Sequence, residues 1–332
     1  PNLRATSLSP ARKAAHAFKR APMRVKRGTK SQKRQDKVNT EVEEKLDRLL
    51  SQANSLFHKE HFQAAETLYR EVLFQCHWRW GRDSRESVTV TINLGLCLRS
   101  LGHLDEAVKY LSEAAETCTD TFGKTDMGTL TAKNNLALTL TDQKRHAEAE
   151  VIYRQLVGDL TAHSHCKDNR VLKCRANLAV CLKAQGGPAR LDEATRIEKS
   201  ILEIRKENED PEDPRTIESL AAVGNTMFLR GELEFAERVQ KTVLDMTQRT
   251  QGKETKSWVK AAYNLGLTLD RMNKAEEAVA MMRQALHFTV LVHGSGSSDH
   301  TRLVRVLSRI LSDQGKEQES ARVRSMAITF GA

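Results

Sequence analysis

The sequence predicts an all-α protein: an α-solenoid of about seven helix-turn-helix repeats in tandem. Three observations carry this. The stretch Asn93–Leu111, NLGLCLRSLGHLDEAVKYL, recurs as NLALTLTDQKRHAEAEVIY at Asn135–Tyr153 and as NLGLTLDRMNKAEEAVAMM at Asn264–Met282. A turn column runs Glu60, Gly102, Lys144, Gly186, Gly231, Asn273 and Gly315, in steps of 42, 42, 42, 45, 42 and 42 residues. Two columns of small residues keep the same register: Ala65, Ala107, Ala149, Ala194, Ala236, Ala278 and Ser320, and Ala53, Gly95, Ala137, Ala179, Gly224, Gly266 and Ser308. Self-similarity at this period is the signature of stacked helical units, which grow by addition and so override the two-domain prior of a 332-residue chain.

Composition agrees. Hydrophobic residues make up 39% of the chain and aromatics only 5%, with six prolines, which suits long helices with aliphatic cores. No apolar run approaches the roughly eighteen residues of a membrane span, so a soluble chain is expected. The net charge of +10 is unevenly placed. Residues 1–37 hold twelve Lys/Arg against one acid, Asp36, whereas the remainder carries 41 bases against 42 acids. The body is neutral and an appended arm carries the excess.

In chain order, residues 1–38 form the expected basic extended arm. Pro1, Pro10 and Pro22 interrupt it, and it lacks apolar periodicity. Three readings compete for it. An Arg-rich, acid-poor N-terminus fits an organellar transit peptide. Lys19-Arg20 with Lys30, Lys33 and Arg34 loosely fits a two-cluster nuclear import signal. A retained arm could lie along an acidic polymer, releasing a counterion at each phosphate.

The solenoid is expected over 39–328. Thr40-Glu41-Val42-Glu43 reads as a capping box that starts its first helix. Val42, Leu46, Leu49, Leu50, Ala53 and Leu56 then follow at helical spacing. His61-Phe62 turns the chain into a second amphipathic helix with Ala65, Leu68, Tyr69, Val72 and Leu73. The later hairpins repeat this around turns near 102, 144, 187, 231, 273 and 315. The single longer step follows from three extra residues in Gly186-Gly187-Pro188-Ala189-Arg190. Gly or Asn at five of the seven turn positions predicts a helix ending in a left-handed residue. The column Leu56, Leu98, Leu140, Leu182, Met227, Leu269 and Leu311 supplies apolar filling. Asp213 is placed to cap a helix with Pro214 at its first position. Residues 329–332 are a short tail.

These columns resemble the tetratricopeptide repeat. The 42-residue version, with NLA or NLG followed by an EA pair, resembles the longer repeat of the kinesin light chain class, as does the loop Asp210-Pro211-Glu212-Asp213-Pro214. About twenty residues of helix precede the first turn, short of the heptad region that joins kinesin light chains to a motor. A related adaptor is therefore expected, not a motor subunit. The resemblance implies a right-handed superhelix whose first helices line a concave groove for an extended peptide. It also implies that Asn93, Asn135, Asn177 and Asn264 hydrogen-bond the peptide backbone, since an amide both donates and accepts. The competing reading has these Asn satisfying neighbouring loops. Arg99 and Lys183 share a column that could add positive charge to the groove.

Catalytic and metal signals are weak. His163-Ser164-His165-Cys166 with Cys174 offers zinc-ligand types at no structural zinc spacing. Gly294-Ser295-Gly296-Ser297-Ser298 lacks the Lys and preceding strand of a phosphate loop and reads as a connector. The six cysteines (Cys76, Cys97, Cys118, Cys166, Cys174, Cys181) form no CxxC and are expected as buried free thiols in a reducing compartment. His77-Trp78-Arg79-Trp80 either stacks on a partner or seals the end of its hairpin.

The expected protein is thus a non-catalytic interaction scaffold without a cofactor or metal. Its groove holds a protein partner, and its arm anchors to an acidic surface through Arg12, Lys13, Lys19, Arg20, Arg24, Lys26, Arg27, Lys30, Lys33 and Arg34. RNA in a large ribonucleoprotein such as a ribosome is favoured for that surface over acidic tubulin in a microtubule or cargo adaptor. A groove that reads RNA directly is the third alternative. The compartment follows the arm: cytoplasm, mitochondrion if the arm is a transit segment, or nucleus.

Overall fold

The computed structural model describes residues 30–163, 167–294 and 297–328, and all described secondary structure is helical. Fourteen helices pair into seven hairpins: α1 (Lys30–His58) with α2 (Phe62–Trp80), α3 (Arg85–Ser100) with α4 (Leu104–Phe122), α5 (Met127–Asp142) with α6 (His146–His163), α7 (Asn169–Gln185) with α8 (Pro188–Asn208), α9 (Pro214–Arg230) with α10 (Leu233–Gln251), α11 (Lys256–Arg271) with α12 (Ala275–His293), and α13 (Ser298–Asp313) with α14 (Glu317–Ile328). They fall into two compact units, the first ending at Cys166 and the second beginning at Lys167. Within each unit a helix packs mainly on the helices next to it in sequence.

Local chemistry sets the helix ends. From the second hairpin on, every first helix has a polar N-cap: Ser84, Asp126, Asp168, Asp213, Thr255 and Ser297 each accept from a backbone N–H two or three residues on. Pro214 occupies the first turn behind Asp213, where its missing N–H costs nothing. The turn column lies at positive φ in all seven copies, including the non-glycine residues Glu60, Lys144 and Asn273. The left-handed turn is therefore imposed by the hairpin and not only by glycine. A second glycine column, unread in the sequence, closes second helices at Gly81, Gly123, Gly252 and Gly294 with φ between 78° and 88°.

One boundary differs from expectation. Helix α1 begins at Lys30, ten residues before the capping box at Thr40. The intervening KSQKRQDKVN contains no Gly or Pro and is rich in Lys, Gln and Arg, good helix formers that outweigh a local start signal. Residues 1–29 of the basic arm lie outside the described residues, as does the tail 329–332.

The core is the repeated seam of each hairpin. All seven residues of the Ala65-to-Ser320 column are fully buried. Opposite them the backbone of the first helix comes close enough that a Cβ on Gly95 would sit 2.6 Å from Leu111 Cγ, and one on Gly266 2.7 Å from Met282 Cε. The filling column is buried from Leu98 to Leu311, while Leu56 packs partly buried against the first cluster.

The described cysteines Cys76, Cys97, Cys118, Cys174 and Cys181 are free and buried; Cys166 lies outside the described residues. Burial raises the thiols of Cys97, Cys118 and Cys174 to about 11 and that of Cys76 to about 12. The thiolate is the reactive form, so these groups stay protonated and unreactive at pH 8. The native chain is expected to give a disulfide reagent no more than one fast thiol of its six, the rest appearing in denaturant. Rapid reaction of several native thiols would refute this placement.

Candidate interaction surfaces

The residues expected to face a partner are drawn largely into the scaffold. Asn93 is buried and donates to Asn54 Oδ1 at 3.4 Å, an oxygen that also accepts from Tyr69 Oη at 2.7 Å. Asn135 is buried too, but its Nδ2 has no hydrogen-bond partner. Asn177 and Asn264 are half-buried. Arg99 Nε lies 2.5 Å from Asp142 Oδ2 of the following repeat.

Lys183 is the most constrained of the set. Its ammonium sits 2.5 Å from Glu198 of the same hairpin, with the two side chains 14% and 4% exposed. Thr226 Oγ1 donates to the other Glu198 oxygen. Glu198 stands in a column filled elsewhere by Tyr69, Leu111, Tyr153 and Met282, and the next copy is Gln240, which accepts from Thr268 Oγ1 at 2.6 Å. The fourth and fifth hairpins therefore carry a polar seam where the first three and the sixth have aromatic or apolar groups, and the last copy is the exposed Arg324.

The aromatic cluster at the end of α2 divides. Trp80 packs partly buried against the first core, so it seals the hairpin. Trp78 is 80% exposed, and Phe74, one turn earlier, is 69% exposed. The corresponding pairs in the next five second helices are Glu116/Asp120, Gly158/Ala162, Glu203/Glu207, Asp245/Arg249 and His287/Leu291, none of them aromatic apart from the imidazole of His287. The fold does not require apolar groups at these positions.

In the second unit, Leu286, Val290, Leu291, Leu307, Val323 and Met326 line a cleft of about 800 Å³ among α12, α13 and α14. Buried His300 also lines it, with Nδ1 unpartnered.

Metal-ligand geometry is limited. Among the described residues, Glu66, His103 and Glu106 bring donor atoms within 4.8 Å of one another. Arg70 occupies this cluster, at 2.9 Å from Glu66 and 2.6 Å from Glu106, and shares its single positive charge between the two carboxylates. Of the zinc-type residues, His163 ends α6, Cys174 is buried in α7, and 164–166 lie outside the described residues.

Tandem hairpins of this kind define a helical-repeat fold. Residues 86–158 and 258–301 each match a tetratricopeptide repeat family model. A kinesin-light-chain-type protein of Podosopora anserina with nearly identical TPR-like repeats is similar at 17% identity, covering 63% of this chain and 96% of that one, TM-score 0.54. The apo form of RapI is similar at 12% identity, with 86% and 97% covered and a TM-score of 0.63. NprR in complex with its cognate peptide NprX is similar at 16% identity, with 92% and 82% covered and a TM-score of 0.55. No curated protein matches the chain. Residues 86–158 and 258–301 thus carry tetratricopeptide repeats, and the fold resembles that of the kinesin-light-chain-type repeat protein. No helix among the described residues is long and apolar enough to cross a membrane.

Proposed function

We propose that this chain is a non-catalytic adaptor whose repeats hold a protein partner and whose basic N-terminal segment anchors it to an acidic polymer, RNA before tubulin. The observation that carries this is the charge split: twelve bases against one acid in residues 1–37, against near neutrality over the rest. The pairing of repeat charges sharpens it. Arg99, Lys183, Arg271 and Arg309 are all engaged by acids or carbonyls of their own unit, so these four positions offer little free positive charge. The same pairing argues against RNA reading by a groove, which needs basic and aromatic residues recurring in one column. For a peptide partner, the half-buried Asn177 and Asn264 are the more accessible of the four Asn positions, since the Asn135 Nδ2 is itself buried.

The test is salt-dependent binding to poly(U) by the full chain and by a chain lacking residues 1–29, a cut that leaves α1 intact. The eight bases removed should take with them a slope of about −5 to −6 in log K against log salt. An unchanged slope would sink the anchoring role. The tubulin reading is favoured by the kinesin-light-chain-type repeats, and microtubule pelleting that depends on the acidic tails would select it.

A further inference from the structure

The exposed Phe74 and Trp78 stand on a face rich in outward carboxylates. Helix α4 runs beside α2, tied to it by Arg70–Glu106 at 2.6 Å and Arg82–Glu113 at 3.4 Å. On these two helices Glu71, Glu116 and Asp120 are exposed and Glu113 is half-buried. On the other flank, Glu43 of α1 pairs with Arg79 at 3.2 Å. Asp47, one turn further along α1, has its carboxyl raised by partial burial and then by Glu43 and Glu86, the mark of crowded negative charge. The nearby bases are spent: Arg79 on Glu43 and Arg82 on Glu113. His77 is lowered by burial first and then by Arg82, so it adds no charge at neutral pH. Lys109 lies two turns before Glu116. Two bare aromatic faces amid carboxylates recognise Arg and Lys, the cation over the ring and its charge answered at the rim.

The chain carries a segment of that chemistry. Residues 1–29 hold eight Lys/Arg and no acid, with Phe18 just before Lys19-Arg20, and Met23 and Val25 on either side of Arg24 ahead of Lys26-Arg27. Helix α1 starts at Lys30 and passes Glu43 thirteen residues later, about 20 Å along its axis. Twenty-nine residues reach up to about 95 Å when extended, so the distance is no obstacle. We propose that the Phe74–Trp78 face with its acidic flanks is the docking site of the chain's own basic segment, residues 1–29. The segment cannot hold this face and an acidic polymer at once. That competition rests on the proposed function; the docking itself does not.

Carbodiimide crosslinking of the dilute full chain tests this. The reagent joins a lysine amine to a carboxylate as an amide with loss of water, and peptide mapping locates each link. Lys13, Lys19 and Lys26 should link to Glu71, Glu113, Glu116 or Asp120. The yield should fall by roughly tenfold in the Phe74→Ala/Trp78→Ala variant, through loss of two exposed cation–π contacts. Both side chains are exposed, so the variant should melt with the wild type. Glu71→Gln/Glu116→Gln, also at the surface, should lower the yield independently. Mixing isotope-labelled and unlabelled chains separates sources: links between differently labelled chains would assign the face to a second copy and overturn the proposal. Absent links, or links unchanged in both variants, would overturn it as well. Poly(U) should abolish the links. Links that survive bound poly(U) would refute the competition, whereas links in a chain that binds no poly(U) would leave the docking and remove the anchoring role.

Discussion

Lys183→Met is expected to destabilise the second unit by about 3–5 kcal/mol, the largest effect of any single substitution considered for this chain. The reason is what remains. Glu198 is 4% exposed on its side chain and loses the cation paired with it, while Thr226 offers one neutral donor. A carboxylate left there has neither water nor a counter-charge. The paired change Lys183→Met/Glu198→Leu should recover most of that loss, since it puts apolar groups in a column where Leu111 and Met282 already sit. Thr226 then keeps its bond to the Ala222 carbonyl at 3.1 Å. Urea unfolding, with hydrogen exchange followed in α7 and α8, measures both. A single variant costing under about 1 kcal/mol would mean the pair is effectively solvated.

The second large effect is expected at the seam of the second hairpin. Leu111→Ala should cost about 2–5 kcal/mol, because Leu111 is fully buried against a backbone that cannot follow it inward. Gly95→Val should cost about 1–3 kcal/mol for the opposite reason: its Cβ would meet Leu111 Cγ at 2.6 Å and Cδ2 at 2.9 Å. The two residues occupy one space, so the double variant should cost less than the sum of the singles, with a coupling of about 1 kcal/mol or more. Additive losses in the double-mutant cycle would show that the helices separate instead of trading volume. At Gly266 the opposing atoms belong to the flexible end of Met282, so the same substitution should be milder there.

The packing was legible in the sequence because it repeats. A residue that must be small at Gly95 must be small again at Ala137, Ala179 and Gly224, so the columns expose the seam without knowledge of the third dimension. Charge pairing was not legible. Arg99 meets Asp142, 43 positions away in a different column, and nothing in the spacing marks that meeting. Two features had signals that column reading can use. Glu198 is a charged residue in an apolar column, which points to burial with a partner and not to a groove. Trp78 shares a column with Asp120, Glu207 and Arg249, which separates it from the sealing Trp80 two residues on. The start of α1 was misplaced because a capping box marks where a helix can begin, while the composition upstream decides whether it begins sooner.

The predominance of contacts between neighbouring helices within each unit bears on how the chain acquires its structure. No contact in a hairpin waits for a distant part of the chain, so little loop entropy is lost before packing repays it. Folding of this kind can nucleate in any hairpin and spread stepwise, and it is fast for its size. Opening should likewise start at hairpins that have a neighbour on one side only. A partner that bridges several hairpins would therefore hold them closed, and the free energy spent on suppressing their fraying would show as weaker binding than its contacts alone predict.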